Sequence, residues 1–234
     1  MTSIKDSVAL VTGGSRGLGK ALVEELYARG AAKVYATARD PRTVTHPDAV
    51  PLALEVTDPA SVEAVAAQAQ DVTIVINNAG VSVGAHSFLE APLDDVRREF
   101  EVNFFGPLLV TRAFAPVVAR NGGGHLLNVH SVLSWIGVAG SYSATKAALW
   151  SQTNTLRLEL RSRGIDVTGL HVGYIDTDMV SGIDAPKSAA RDVAVLALDG
   201  VEAGAHEVLA DDLTRDVKAK LSGDLADLYP QLAD

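Results

Sequence analysis

The sequence predicts an α/β domain, a doubly wound parallel sheet flanked by helices, and three observations carry that prediction. Short apolar runs at 7–12, 33–37, 52–56, 73–76 and 125–131 alternate with longer stretches of helical periodicity. The first run passes directly through a glycine-rich turn, Gly13-Gly14-Ser15-Arg16-Gly17-Leu18-Gly19, into an amphipathic helix. Tyr142-Ser143-Ala144-Thr145-Lys146 opens an Ala- and Leu-rich stretch, 147–163, that stops at Gly164 and reads as a long helix.

Bulk properties bound the function. A chain of 234 residues fits one large domain, and 47% hydrophobic with 21% charged residues is globular. No apolar run reaches the roughly 18–20 residues of a membrane span, and the first strand begins too early for a leader, so neither is expected. The absence of cysteine excludes disulfides and thiolate metal sites, and a cytoplasmic setting is the default expectation. A net charge of −9 argues against general nucleic-acid binding, which needs phosphate-neutralising Lys and Arg.

In chain order, the first strand, 7–12, and the helix from Gly17 to Arg29 enclose the glycine turn. Leu18, Leu22, Val23 and Leu26 lie on the inner side, and Gly30 is the stop. Such a unit holds a dinucleotide pyrophosphate: glycines admit the phosphates, and the helix N-terminus offers unpaired N–H groups. The fold expected is therefore Rossmann-like, although the spacing Gly13-x-x-x-Gly17-x-Gly19 differs from G-x-G-x-x-G. At the end of the second strand an acidic residue grips a ribose hydroxyl, whereas Arg accommodates a 2′-phosphate. Small Ala38 stands near that acidic position, with Arg39 beside it and Arg16 in the turn, so NADP(H) is favoured over NAD(H). Asp40 is the complicating charge.

Thr57-Asp58-Pro59 caps a helix over 60–70, and the strand at 73–76 ends in Asn77-Asn78-Ala79-Gly80. After a loop at 81–92, a helical stretch runs over 93–120 with Asn103 inside it, where an amide needs a partner. The triplet Gly122-Gly123-Gly124 precedes the strand ending at Ser131, eleven residues before Tyr142. His125 and His130 lack metal-ligand spacing and read as structural histidines; no metal site is expected. Tyr142 and Lys146 share one helix face, and an ammonium beside a phenol favours the phenolate, which lowers the phenol pKa toward working pH.

Together, Thr12-Gly13-x-x-x-Gly17-x-Gly19, Asn77-Asn78-Ala79-Gly80, Asn103, Asn128-x-x-Ser131 and Tyr142-x-x-x-Lys146 resemble the short-chain dehydrogenase/reductase family. The order and distances agree from about Ser7 to Thr177, and five motifs in order are highly specific. The resemblance implies hydride transfer between a nicotinamide cofactor and a small carbonyl compound or its alcohol. Tyr142 is then the proton donor, Lys146 binds the nicotinamide ribose, Ser131 bonds the reacting oxygen, and Asn103 holds a water linking Lys146 to solvent. Gly13, Ser15, Arg16, Gly17, Leu18 and Gly19 line the pyrophosphate. Glu55 and Val56 meet the adenine, and Asn78, Ala79 and Gly80 form the adenosine-side wall. Gly173, Ile175 and Thr177, in the loop after the strand 165–171, close over the nicotinamide. Trp135 and Met179 join Ser131 and Tyr142 at the substrate.

Three departures from the family pattern stand out. Glu55 replaces the usual Asp or Asn, Val172 replaces a Pro and loosens the turn before Gly173, and the Ser131-to-Tyr142 span is about two residues short. That shortening either reshapes the substrate mouth around Trp135 and Ile136 or impairs activity. In the tail, 179–187 (more broadly 178–190) reads as a substrate lid, followed by a helix over 188–198, a strand at 207–210 and a last helix near 213–221. Apolar residues on the 144–160 helix suit packing against a second copy, and the family's habit implies a homodimer or homotetramer. A non-catalytic NADP(H) sensor on the same fold is the alternative function. The expected partners are a small-molecule substrate and no nucleic acid or membrane.

Overall fold

The computed structural model describes residues 2–84 and 87–232; of the predicted 81–92 loop, 85 and 86 lie outside the described residues. Seven strands form one parallel sheet in the order β3-β2-β1-β4-β5-β6-β7. They are β1 (Val8–Val11), β2 (Lys33–Ala38), β3 (Val50–Ala53), β4 (Ile74–Asn77), β5 (Gly124–Val129), β6 (Ile165–His171) and β7 (Glu207–Leu209). Strand order reverses between β1 and β4, the crevice where open α/β sheets bind ligands. The central strands read as near-continuous apolar runs because helices cover both faces of the sheet.

On one face α1 (Gly17–Ala28) and α6 (Ala190–Ala203) pack against the sheet through Leu22, Leu26, Val193 and Leu198. The other face carries α2 (Pro59–Gln68), α4 (Gly106–Arg120) and α5 (Gly140–Leu160), with Val65, Val110, Phe114 and Leu156 in the core. As the sequence predicts, Asp58 caps α2 by accepting from Ala60 N at 3.0 Å, and Gly164 ends the α5 segment in the left-handed region at φ +69°. The predicted 93–120 helix is α3 (Leu93–Phe100) running into α4 through one π-helical turn, Glu101–Phe105, which holds Asn103. By length and composition that stretch could cross a membrane, more than the sequence reading allows. Its buried Val110, Phe114, Val117 and Val118 instead make it a core helix.

Two strands end two or more residues earlier than predicted, both for local hydrogen-bonding reasons. β3 stops at Ala53 because Glu55 turns its carboxylate onto Thr57 N (3.2 Å) and Thr57 Oγ1 (3.0 Å), closing a tight turn. β5 stops at Val129 because Ser131 caps a single helical turn, Val132–Ser134, accepting from Leu133 N at 3.2 Å. The tail carries α7 (Asp212–Lys220) and the short α8 (Leu225–Leu228). A third apolar cluster joins them to the span before Tyr142: Val132 and Trp135 pack with Val217, Trp150 and Leu228.

Candidate active site

The carboxyl ends of the strands open into one cleft of about 1340 Å³. On its β1 side the glycine turn is held by side chains of the β4 turn. Asn78 Nδ2 donates to Thr12 O (2.9 Å) and Gly13 O (3.1 Å), while Thr12 Oγ1 accepts from Asn78 N and Ala79 N, each at 3.0 Å. A Cβ on Gly19 would stand 2.0 Å from Gly13 O, so only glycine lets α1 start this close to the turn. Gly17, at φ +52°, faces Thr177 across the cleft. No side chain caps the first turn of α1, so its N–H groups stay open to an anion. This cradle fits a dinucleotide pyrophosphate.

Gly13, Ser15, Arg16, Gly17, Leu18 and Gly19 line the cleft, as do Arg39, Glu55, Val56, Asn78, Ala79, Gly80, Gly173, Ile175 and Thr177. Two charges differ from expectation. The Arg16 guanidinium reaches Asp178, in the loop after β6, at 3.4 Å instead of standing free beside Arg39, although both partners are well exposed and the pair is weak. Asp40 is engaged by Arg42 through two contacts of 2.9 Å, which hold its carboxyl below the usual range and neutralise the complicating charge. Arg39 is left as the exposed cation at the end of β2.

Ser131, Tyr142 and Lys146 line the other half of the cleft. Ser131 Oγ donates only a long 3.4 Å bond to Val172 O. Lys146 is buried; its Nζ donates to Val129 O at 2.9 Å and lies 5.6 Å from the centre of the Tyr142 ring. Burial pushes the Lys146 pKa down to about 8. The expected depression of the Tyr142 pKa is not found. Burial, and secondarily the charge of Glu99, push it above the usual phenol value. The ammonium is directed at a backbone carbonyl and does not overcome those two effects.

Asn103, buried in the π turn, has its amide fully paired. Its side chain clasps Val81 at both ends, accepting from Val81 N (2.9 Å) and donating to Val81 O (2.8 Å), and reaches Thr145 Oγ1 at 3.1 Å. The amide thereby fixes the loop after Gly80 to the helix that carries Lys146. Trp135 is a further correction. It is buried away from the cleft, stacked on His171 at 4.1 Å, edge-on to Trp150 and covered by Lys218 at 4.8 Å. The short span thus turns its tryptophan into the third apolar cluster and presents Leu133, Val138 and Ala139 to the cleft instead. Gly137 N donates to Tyr229 Oη at 2.7 Å, which pins the span to the tail.

Val172 does not loosen the next turn. Its carbonyl accepts from Val132 N at 2.9 Å, and Asp211 Oδ2 takes Gly173 N at 2.6 Å. Asp211 gave no signal in the sequence, because its partner is 38 residues away. Met179, with Tyr174, Val180 and Ile183, lines the cleft from the stretch after β6. His125 contacts Thr168 at 2.8 Å, and His130 contacts His171 at 3.0 Å and Thr153 at 2.8 Å, consistent with a structural reading. Among the described residues no group of His, Asp or Glu could hold a metal.

A parallel sheet with a glycine-cradled anion site at its switch point, and a Ser, Tyr and Lys across the same cleft, defines a dinucleotide-dependent oxidoreductase. The sequence pattern of the short chain dehydrogenases matches residues 7–188, and the chain belongs to that family. It is 35% identical over 213 residues to the 1-deoxy-11-beta-hydroxypentalenate dehydrogenase of Streptomyces exfoliatus, covering 84% of this chain and 77% of that one. It is 34% identical over 200 residues to a 3-oxoacyl-[acyl-carrier-protein] reductase of Salmonella typhimurium, covering 80% and 81%. A short chain dehydrogenase from Burkholderia cenocepacia J2315, solved in complex with NADP, superposes with a TM-score of 0.93 at 37% identity over 99% of both chains. The NADPH-bound carbonyl reductase from chicken fatty liver gives a TM-score of 0.79 at 28% identity, covering 88% of this chain and 99% of that one.

Proposed function

We propose that this enzyme uses NADP(H) to interconvert a small, apolar ketone or aldehyde and its alcohol, with Tyr142 as proton donor in the reducing direction. The observation that carries the reading is that Ser131, Tyr142 and Lys146 line the same cleft as the glycine cradle. The cofactor, when bound, supplies the hydride. Tyr142 gives its proton to the carbonyl oxygen, and Ser131 donates to the same oxygen, since its present 3.4 Å bond to Val172 O costs little to leave. Lys146 keeps two N–H donors beyond its bond to Val129 O, enough to orient a ribose diol, and its charge counters the developing phenolate. Leu133, Val138, Tyr174, Met179 and Ile183 make the substrate side largely apolar, which favours an uncharged carbonyl compound.

Preference for the phosphorylated cofactor rests on Arg39 and on the neutralisation of Asp40. It agrees with the NADP in the Burkholderia cenocepacia relative, whereas a Burkholderia phymatum relative of lower identity holds NAD. Assembly as a homodimer or homotetramer belongs to the same proposal, supported by Leu158 on α5, which is 78% exposed. The deciding experiment follows nicotinamide absorbance with NADPH, then NADH, over a panel of ketones and aldehydes, for the wild type and Tyr142→Phe. The expected result is turnover with NADPH that falls at least a thousandfold in the variant, with NADPH binding retained. Retained turnover in the variant would refute the assigned proton donor, and binding without any turnover in the wild type would return the sensor alternative.

A further inference from the structure

Glu99 has no place in the reaction as described, yet it is fully buried beside it. It sits near the end of α3, and no Lys, Arg or His among the described residues forms an ion pair with it. Burying a carboxylate without a counter-charge is unfavourable unless hydrogen bonds hold it. Two do. Glu99 Oε1 accepts from Val83 N at 2.7 Å, and Oε2 accepts from the Ser141 hydroxyl at 2.5 Å. Ser141 directly precedes Tyr142 and is itself buried, in the first turn of α5. Val83 lies in the loop that Asn103 clasps two residues earlier, at Val81.

We propose that Glu99 is a positioning residue for the reaction: its carboxylate ties the loop at Val83 to the start of α5 at Ser141 and so fixes the seat of the Tyr142 phenol. This rests on the reading of Tyr142 as proton donor. The tie joins two segments 58 residues apart in sequence, and one of them runs directly into Tyr142. The carboxylate has a second effect, because its charge is the one that acts on the phenol and helps keep the proton in place. Among the described residues, the other charged or titratable groups around that part of the cleft are Lys146 on the same helix, His130 after β5, Asp94, Arg98 and Glu101 on α3 and the π turn, and Tyr174, Asp176 and Asp178 in the loop after β6.

The charge and the tie can be separated. In Glu99→Gln, the amide oxygen can still accept from Val83 N, and the amide N–H can donate to Ser141 Oγ, so both contacts survive without the charge. Glu99→Ala removes both. Amide hydrogen exchange, measured with NADPH bound, should show Val83 and the 139–143 segment exchanging at least tenfold faster in Glu99→Ala and near the wild-type rate in Glu99→Gln. With the panel carbonyl that the wild type turns over fastest, Glu99→Gln should move the alkaline limb of the kcat profile for reduction down by about one pH unit. The direction follows from charge, since without the carboxylate the phenol loses its proton more easily. KM should change little in Glu99→Gln, whereas Glu99→Ala should lose at least tenfold in kcat.

Equal exchange at Val83 in all three proteins would overturn the tie. An unmoved pH profile in Glu99→Gln, with unchanged kcat in Glu99→Ala, would overturn its role in turnover. If Glu99→Ala does not fold, Ser141→Ala, which removes one of the two bonds, takes its place: exchange of the 139–143 segment should rise and kcat fall, and wild-type values for both would overturn the tie. If no carbonyl is reduced, the proposed reaction fails, and the exchange measurement still reports on the tie.

Discussion

Arg39 is the side chain whose removal should change cofactor choice most. It stands exposed at the end of β2 with Asp40 already turned onto Arg42, so its guanidinium is available to a 2′-phosphate. A charge-assisted hydrogen bond contributes about 1.5–3 kcal/mol, or roughly ten- to a hundredfold in affinity. Arg39→Ala should therefore weaken NADPH binding by that factor and leave NADH nearly unchanged, as measured by titration of each nucleotide. Arg16→Ala should cost less, because its exposed partner Asp178 competes for the same guanidinium. Equal losses for both nucleotides in Arg39→Ala would remove the basis for NADP preference. Residues of this kind were legible in the sequence because type and position along the chain carry their chemistry: glycines in a turn, a cation after a strand, Tyr four residues before Lys. Direction was not legible. Nothing in the chain between Ser131 and Tyr142 says that Trp135 faces the tail, or that Glu99, one acid among several on α3, is the one that is buried.

Among the elements, the 132–141 span shows how a sequence departure is absorbed. A shorter connection between Ser131 and the start of α5 leaves less chain to wrap the mouth. The structure answers by anchoring its middle from outside, with Trp135 between His171 and Lys218, Ile136 against the third cluster and Gly137 bound to Tyr229. The anchor lies outside the active cleft, so its loss should appear first as stability. Trp135→Ala removes a buried aromatic and its stacking on His171, a change that costs about 3–5 kcal/mol. Urea unfolding should record that loss, and NADPH affinity should hold at temperatures where the variant is folded, since no cradle residue is touched. A loss below about 1 kcal/mol would mean the tail does not brace the span. Periodicity found the strands and helices but misplaced their ends where side chains intervene: Glu55 closes β3 early and Ser131 closes β5 early. The π turn at Asn103 left no mark in the periodicity either, because one extra residue in a 28-residue helical stretch barely alters the apolar spacing.

At the scale of the molecule, the alternation of strands and helices was enough to predict a doubly wound sheet, since parallel neighbours require crossovers and those run one way. What alternation cannot show is the polar seam beneath the sheet's carboxyl edge. Asn77 donates to Asn128 (2.9 Å), Asn128 to Thr153 (2.8 Å), and Thr153 meets His130, which pairs with His171. Glu207 follows, holding Trp150 Nε1 at 2.9 Å and Lys218 at 2.6 Å. His125, His130 and His171 are all buried, and burial lowers the pKa of each, to about 4 for His125. The folded protein therefore keeps these rings neutral where the unfolded chain, with pKa near 6.5, begins to bind protons. Below that pH the unfolded state takes up more protons than the native one, so stability falls as pH drops from about 6.5 toward 4. For His125 alone the gap of about 2.5 units corresponds to about 3 kcal/mol by pH 4, and His130 and His171 add to it. Carboxylates with lowered pKa, such as Asp71 and Glu207, lose their contribution only at lower pH, so the two effects separate along the titration. Urea midpoints should fall steadily between pH 7 and pH 4.5, with a shallower fall in a His125→Gln variant, whose amide can still meet Thr168. A midpoint that stays level down to pH 5 would show that the buried imidazoles admit protons without cost and that the seam is wetter than its packing implies.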